Sequence, residues 1–305
     1  MFSCLTIGNF DGVHRGHQAL INRVTERKRS MQHNYPTIKS VVISFDPHPL
    51  ELLKAPLIVK RLSLQAAKIK IIEGLGIDWV HLLSFDTELS QKSAQDFFRE
   101  NLLRQYNPKF IAVGPNFHFG RNREGNPQLL QQWCKMEGIE CEILEPIQAD
   151  GENVSSSRIR KLIEEGQMIQ AGRLLGRDYS LTGEVIHGNK QGRLLGFPTA
   201  NLAPQTKGIG SPVLPSYGVY LTHSTVEGRT FASVTNVGVK PTVQDSGPLL
   251  LETHLLDFDG DLYGKQLTVE FRDRLRSEMK FSGLPELIAQ IRKDTELARL
   301  RLRNS

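Results

Sequence analysis

The 305-residue sequence is poor in cysteine and has no long apolar run. Its three cysteines, Cys4, Cys134 and Cys141, are odd in number, and none stands in C-x-x-C spacing. That excludes a disulfide framework or a zinc site read from spacing, and predicts reduced thiols acting as small, partly buried hydrophobes. No uncharged apolar stretch approaches the roughly 20 residues that cross a bilayer. The N-terminus also lacks a basic region followed by a greasy stretch and a small-residue cleavage site, so neither a span nor a leader is expected and a cytoplasmic location is. Strong charge of one sign is absent too: the net charge is +5, the pI about 9.1, and lysines and arginines are interleaved with acids. Such a balance favours anionic partners in general without choosing between a nucleotide and a nucleic acid.

What is present suffices for real cores, with 39% hydrophobic residues and length for one large domain or two ordinary ones. To about residue 165, apolar runs alternate with amphipathic stretches, which predicts an α/β unit with a parallel sheet. "FSCLTIG", "SVVISF", "WVHLLSF", "FIAVG" and "IECEILEPI" read as strands, and "HQALINRVTERKRS", "LQAAKIKIIEGL", "AQDFFRENLLRQY", "NPQLLQQWCKME" and "SRIRKLIEEG" as helices. Ser63 is expected to cap the second of these helices, which should close at Gly76. Beyond about residue 178 the pattern becomes β-rich and broken by Gly, Pro and Asp, with Glu227-Gly228 as a hairpin turn. Many short antiparallel strands imply a sandwich or a small closed barrel, and "LPELIAQIRKDTELARLRL" a terminal helix packed on it. The expected division is residues 1–165, a linker at 166–178, and residues 179–305.

The stretch "LTIGNFDGVHRGHQALINRV" places Gly8, Gly12 and Gly16 where a strand hands over to a helix. A glycine loop lets backbone approach a bulky ligand, and the helix N-terminus aims unpaired N–H groups and a positive dipole end at the same place. His14 and His17, three apart at the helix start, can project to one spot and donate to phosphate oxygens as negative charge develops. A zinc site would need a third ligand, and none lies at a suitable spacing. Three further segments fall at strand ends, where open α/β sheets bind ligands. These are "SFDPHP" with Asp46 and His48, "VGPNFHFGRNREGN" with Asn116, Arg121 and Arg123, and "VSSSRIRKL" with Ser156 and Ser157 at a helix start and Arg160 one turn in.

In the second half, "GEVIHGNKQGRLLGFPTANL" contains Gly188, Gly192 and Gly196, a run suited to folding over phosphates. Thr199 and Asn201, two apart in an extended segment, face one side and offer hard oxygen donors for Mg²⁺; an ordinary turn and strand would carry the same residues. "GDLYGKQ" is one residue short of a P-loop and lacks the Ser/Thr after Lys265.

Taken together, "GNFDGVHRGH", "SFDPHP", "VGPNFHFGRNREG" and "VSSSRIR" closely resemble the adenylyltransferase half of bacterial bifunctional riboflavin kinase/FAD synthetases. The first motif alone marks only the wider H-x-G-H nucleotidyltransferase group. "PTAN", "YGVYLT", "NVGVKPTV", "ETHLLDFDGDLYG" and "LTVEFRDRLRSEMKF" resemble the riboflavin kinase half, in the same order. The resemblance implies a Rossmann-like nucleotidyltransferase domain followed by a small Greek-key β-barrel with a C-terminal helix. It implies ATP as co-substrate, Mg²⁺, and riboflavin and FMN as partners, with no nucleic acid, no membrane, and a monomer or weak homo-oligomer. It carries catalytic roles to His14, His17 and Arg160, and the role of catalytic base to Glu252. ATP or phosphate contacts fall to Gly8, Phe10, Gly16, Asn116, Ser156, Ser157, Gly188 and Gly192, and Mg²⁺ to Thr199 and Asn201. Departures are a start almost at the first strand, a longer connection at residues 203–216, and Asp46 where many relatives have Glu. Two other readings stay open at this point: an H-x-G-H nucleotidyltransferase with a non-catalytic barrel, and a flavin- or RNA-binding regulator.

Overall fold

The computed structural model describes residues 1–53, 59–187, 197–204, 210–239 and 249–303, and the chain divides into two compact units, Met1–Ser156 and Ser157–Ser305. The first unit opens with β1 (Ser3–Ile7), a 3₁₀ turn (Asp11–Val13), α1 (Arg15–Met31), β2 (Lys39–Asp46), α2 (Pro49–Leu53), α3 (Gln65–Gly74) and β3 (Trp79–Ser84). It continues with α4 (Thr87–Gln91), α5 (Ala94–Asp96), which runs on as a π-helical segment to Arg104, then β4 (Pro108–Val113), a second 3₁₀ turn (Arg121–Arg123), α6 (Pro127–Met136), β5 (Glu140–Ile143) and the small pair β6 (Gln148–Ala149) and β7 (Glu152–Asn153).

Its five-stranded sheet runs β3-β2-β1-β4-β5 and is parallel throughout. The central strands are buried on both faces, as parallel strands under helices must be, and β1 has every residue buried. Chain order reverses direction between β1 and β4, so their carboxyl ends diverge and leave a crevice between their loops. Ser63 does not cap α3; Leu64 occupies the N-cap without a side-chain bond, and the Ser63 hydroxyl instead accepts from the Gly12 N–H at 3.0 Å. A partner brought in by the fold wins over the local cap.

Helix α7 (Ser156–Glu164) leads from the first unit into the second, which continues with α8 (Met168–Leu175), β8 (Tyr179–Ile186), β9 (Ala200–Pro204), β10 (Gly218–Val226), β11 (Arg229–Val239), β12 (Leu249–Leu255), β13 (Gln266–Arg276) and α9 (Leu284–Arg303). Six antiparallel strands close a barrel in the order β10-β11-β12-β9-β8-β13, Greek-key rather than up-and-down. Val226 pairs with Arg229, which leaves Glu227 and Gly228 as a two-residue turn, both at positive φ (49° and 78°). Along β10 the side chains alternate. Leu221 faces outward into a cluster with Leu256 and Ala298 of α9, and Arg276 pairs with Asp294 of the same helix. Tyr220, Thr222 and Ser224 face inward and are fully buried. The interior hydroxyls form a chain: Thr253 to Thr235 at 3.0 Å, Thr235 to Thr222 at 2.8 Å, Thr222 to Ser233 at 2.8 Å and Ser233 to Ser224 at 2.7 Å.

Candidate functional site

The β1–α1 loop carries the first set of residues. Gly8 extends the sheet by donating to the Ile43 carbonyl at 3.1 Å. Phe10 and Gly12 take positive φ (48° and 78°), which folds the chain back so that α1 starts at the carboxyl end of β1. His14 is the N-cap of α1, and its Nδ1 accepts from the His17 N–H at 3.4 Å. A ring nitrogen that accepts carries no proton, so the His14 proton resides on Nε2. The two imidazoles stack, with centroids 3.6 Å apart and planes 14° off parallel. Phe10, fully buried, backs His17 at 5.1 Å, so its ring is a prop behind the imidazole. A Cβ at Gly16 would stand 3.2 Å from the His14 ring, so glycine there leaves that ring its place.

Desolvation first, then the His14 ring and the charge of Lys68, holds the His17 pKa well below its ordinary value, so the ring is neutral near pH 7. Its Nδ1 is shielded from solvent and has no hydrogen-bond partner among the described residues.

Neighbouring segments lock this loop. The Asp11 carboxylate accepts from the N–H groups of Leu62 (3.0 Å) and Ser63 (3.3 Å), reciprocating the Gly12–Ser63 bond. The Ser156 hydroxyl donates to the Asp11 carbonyl at 3.0 Å, within the first unit. Ser157, exposed, and Arg160, half-buried, lie farther along α7 on the second unit's side of the division. Asn116 is exposed in the turn after β4, at the other side of the crevice, and its carbonyl lies 3.0 Å from His118 Nδ1. His118 is also 3.1 Å from Arg123, and Asn122 and Arg123 hold φ of 56° and 60°. From β2, Asp46 meets Arg61 at 3.3 Å, and Arg61 pairs with Glu51 at 2.7 Å. His48 Nδ1 accepts from the Leu50 N–H at 3.2 Å.

The barrel places the second set. Asn201 on β9 pairs directly with Glu252 on β12, and Glu252 with Asn236 on β11. Paired residues of antiparallel strands share a face, so these three form a row across the outside of the barrel while Leu202 and Leu251 point into its core. Asn201 is 6% exposed, whereas Glu252 is open to solvent. Thr199 is half-buried just before β9, in a segment tied down by His254, whose Nδ1 is 2.8 Å from the Pro198 carbonyl and whose ring meets Phe197 edge-on at 5.7 Å. Glu278 reaches the same face: a Cβ on Gly238 would lie 2.5 Å from its Oε1 and 3.5 Å from Asn236 Nδ2. Gly188 and Gly192 lie outside the described residues. Sequence reading missed Asn236, Glu278 and Arg61 and gave Ser63 the wrong partner. Each gains its meaning from a partner far along the chain, and no local pattern marks it.

Comparison with known proteins agrees with this division. The FAD synthetase family model matches residues 2–158 and the riboflavin kinase model residues 175–302. The chain is 39% identical over 294 residues to a bifunctional riboflavin kinase/FMN adenylyltransferase of Pseudomonas fluorescens, covering 96% of this chain and 91% of the relative. It is 37% identical to that of Escherichia coli K12 (97% and 91% covered) and 32% identical to that of Listeria monocytogenes (96% and 90%). A crystal structure described as a macrolide-efflux protein from Streptococcus pneumoniae superposes with a TM-score of 0.87 at 28% identity, covering 97% of this chain and 94% of that one. Among the described residues of the present chain, no helix is long and apolar enough to cross a membrane.

Proposed function

The chain belongs to the family of bifunctional riboflavin kinase/FMN adenylyltransferases, and on that premise we propose which of its residues carry each reaction. The enzyme phosphorylates riboflavin to FMN with ATP and then joins FMN to a second ATP, giving FAD and pyrophosphate. The observation that carries the assignment of residues is the presence of one furnished site in each unit: stacked His14 and His17 on a glycine loop at the carboxyl end of β1, and a row of Asn201, Glu252 and Asn236 on the barrel.

In the first unit, a phosphate oxygen of FMN attacks the α-phosphorus of ATP, a P–O bond forms, and the bond to the β-phosphate breaks. The nucleophile is already anionic and needs no strong base. The chain supplies alignment and hydrogen-bond donors for the charge that gathers on the phosphoryl oxygens. His14, with its proton on Nε2, is such a donor, and neutral His17 stacked on it is the second; Gly8, Gly16, Asn116 and Ser156 shape the remaining contacts. Ser157 and Arg160 retain their roles from the family pattern.

On the barrel, the ribityl 5′-hydroxyl attacks the γ-phosphorus, its proton passes to the Glu252 carboxylate, and ADP leaves. Thr199 and Asn201 would hold Mg²⁺: both offer hard oxygens, and Asn201 is anchored and buried. When bound, the ion would neutralise phosphate charge. A cytoplasmic location and a monomeric or weakly associating state belong to the same reading.

The test is chromatographic analysis of flavin products with riboflavin, ATP and Mg²⁺ in one reaction and FMN in place of riboflavin in another. The first should yield FMN and then FAD, the second FAD. Glu252→Gln should lose FMN formation and keep FAD formation from supplied FMN; loss of both in a folded variant would sink the division of labour.

A further inference from the structure

A buried cation lies beneath the β1–α1 loop, apart from the residues assigned to the two reactions. Lys68, on α3, is 6% exposed. Its ammonium donates to the Ser44 hydroxyl at 2.8 Å and to the Asn9 carbonyl at 3.4 Å, and the Ser44 hydroxyl donates to that same carbonyl at 3.0 Å. An ammonium so enclosed is unfavourable unless its hydrogen bonds and charge are answered, and an apolar side chain would fill a helix face with less penalty. The groups facing it come from every neighbouring element: Asp11 from the 3₁₀ turn, Asp46 from the end of β2, Arg61 from the segment before α3, and His17 from α1. Burial and the nearby Arg61 lower the Lys68 pKa, while Asp11 and Asp46 act to raise it. The two carboxylates that answer Lys68 also organise the loop: Asp11 caps the Leu62–Ser63 backbone and Asp46 meets Arg61.

We propose that Lys68 is a positioning residue for adenylyl transfer, holding the Asn9 carbonyl and through it the loop in the shape that presents His14 and His17 to the nucleotide. The proposal rests on the reading of that loop as the adenylyl-transfer site. Asn9 lies between Gly8, fixed to β2, and Phe10, which backs His17, so displacement of its carbonyl is passed directly to the imidazole pair. The charge has a second effect. After desolvation and His14, Lys68 helps keep His17 neutral. Removing the positive charge lets the His17 pKa rise, so protonation of His17 would begin at higher pH and the acidic limb of the adenylylation profile would move upward.

The experiment uses the full chain and measures FMN adenylylation across about pH 5 to 8, where imidazoles titrate, with riboflavin phosphorylation and thermal melting read on the same preparations. Lys68→Met should lower kcat for adenylylation about tenfold or more while the KM for ATP moves less than about threefold, as loss of transition-state alignment requires. Riboflavin phosphorylation should stay unchanged, the acidic limb should shift upward, and Lys68→Arg should recover part of the rate and the original limb. Wild-type kcat in Lys68→Met, or a loss with no shift of the limb, would overturn the proposal. If Lys68→Met does not fold, Ser44→Ala removes the ammonium's 2.8 Å partner and leaves its charge. That variant should lower kcat without moving the limb, and unchanged kcat in it would equally overturn the idea. His17→Asn separates the two levels: undiminished adenylylation there means the loop is not the site, whereas its loss alongside an unaffected Lys68→Met rejects Lys68 alone.

Discussion

Gly16 allows a test of whether one missing side chain serves chemistry rather than folding. It lies in the first turn of α1 with no positive φ, so its backbone would accept any residue, and alanine there should add about 0.5–1 kcal/mol of helix stability. Its Cβ, however, would press on the His14 ring at 3.2–3.3 Å. Gly16→Ala should therefore melt at the same temperature or higher while FMN adenylylation falls about tenfold or more, since small misplacements of aligned groups are expensive in rate. Parallel melting curves and product assays check this, and unchanged adenylylation would show that the His14 ring has room to yield. Phe10 teaches the complementary lesson. The motif suggested a ligand contact; the structure shows the Phe10 ring fully buried, 5.1 Å from that of His17.

At the scale of elements, Asp78 joins three pieces of the first unit. Its carboxylate accepts from Lys28 Nζ on α1 at 2.6 Å and from the Ser40 N–H and hydroxyl on β2 at 2.7 and 2.8 Å, just ahead of β3. Burial works to raise its pKa, but these donors outweigh it, and the folded value lies below the ordinary 3.8. A carboxyl whose folded pKa is depressed adds stability above the unfolded pKa and loses it as pH falls through the folded one. Asp78→Asn should destabilise the first unit by about 1–3 kcal/mol at neutral pH, with the gap from wild type closing below about pH 4. Thermal melts of both proteins across that range test it; a gap independent of pH would mean that packing, not charge, is lost. The same scale shows what the sequence could tell. β1 and β4 are legible because two-sided burial makes them largely apolar runs, and the Glu227-Gly228 turn because only particular residues tolerate its dihedral angles. Ser63 was misread because its true partner, Gly12, is 51 residues away. Lys68 was invisible because a lysine on an amphipathic helix reads as surface.

Across the whole molecule, two folds with unlike contact patterns share one chain, and most of that plan was readable: helices return between the parallel strands of the first unit, whereas among the described residues none separates the antiparallel strands β8 to β13 of the second. Motif order made the two chemistries legible, whereas the row of Asn201, Glu252 and Asn236 emerged only from strand register. The barrel core carries a further consequence. Its chain of five hydroxyls has four links, and each oxygen owns a single proton, so each link must draw its donor from a different hydroxyl. Thr235 and Thr222 sit mid-chain and can be replaced by no apolar residue, however well it fits, without stranding a neighbour. Thr235→Val, nearly isosteric, should cost about 1–3 kcal/mol, seen as a lower urea midpoint; an unchanged midpoint would mean the neighbours re-pair with backbone carbonyls. Polarity inside the barrel thus works as a key: sliding β11 by one residue would turn Ser233 and Thr235 outward, so the pairing of these hydroxyls and the alignment of the strands are one specification.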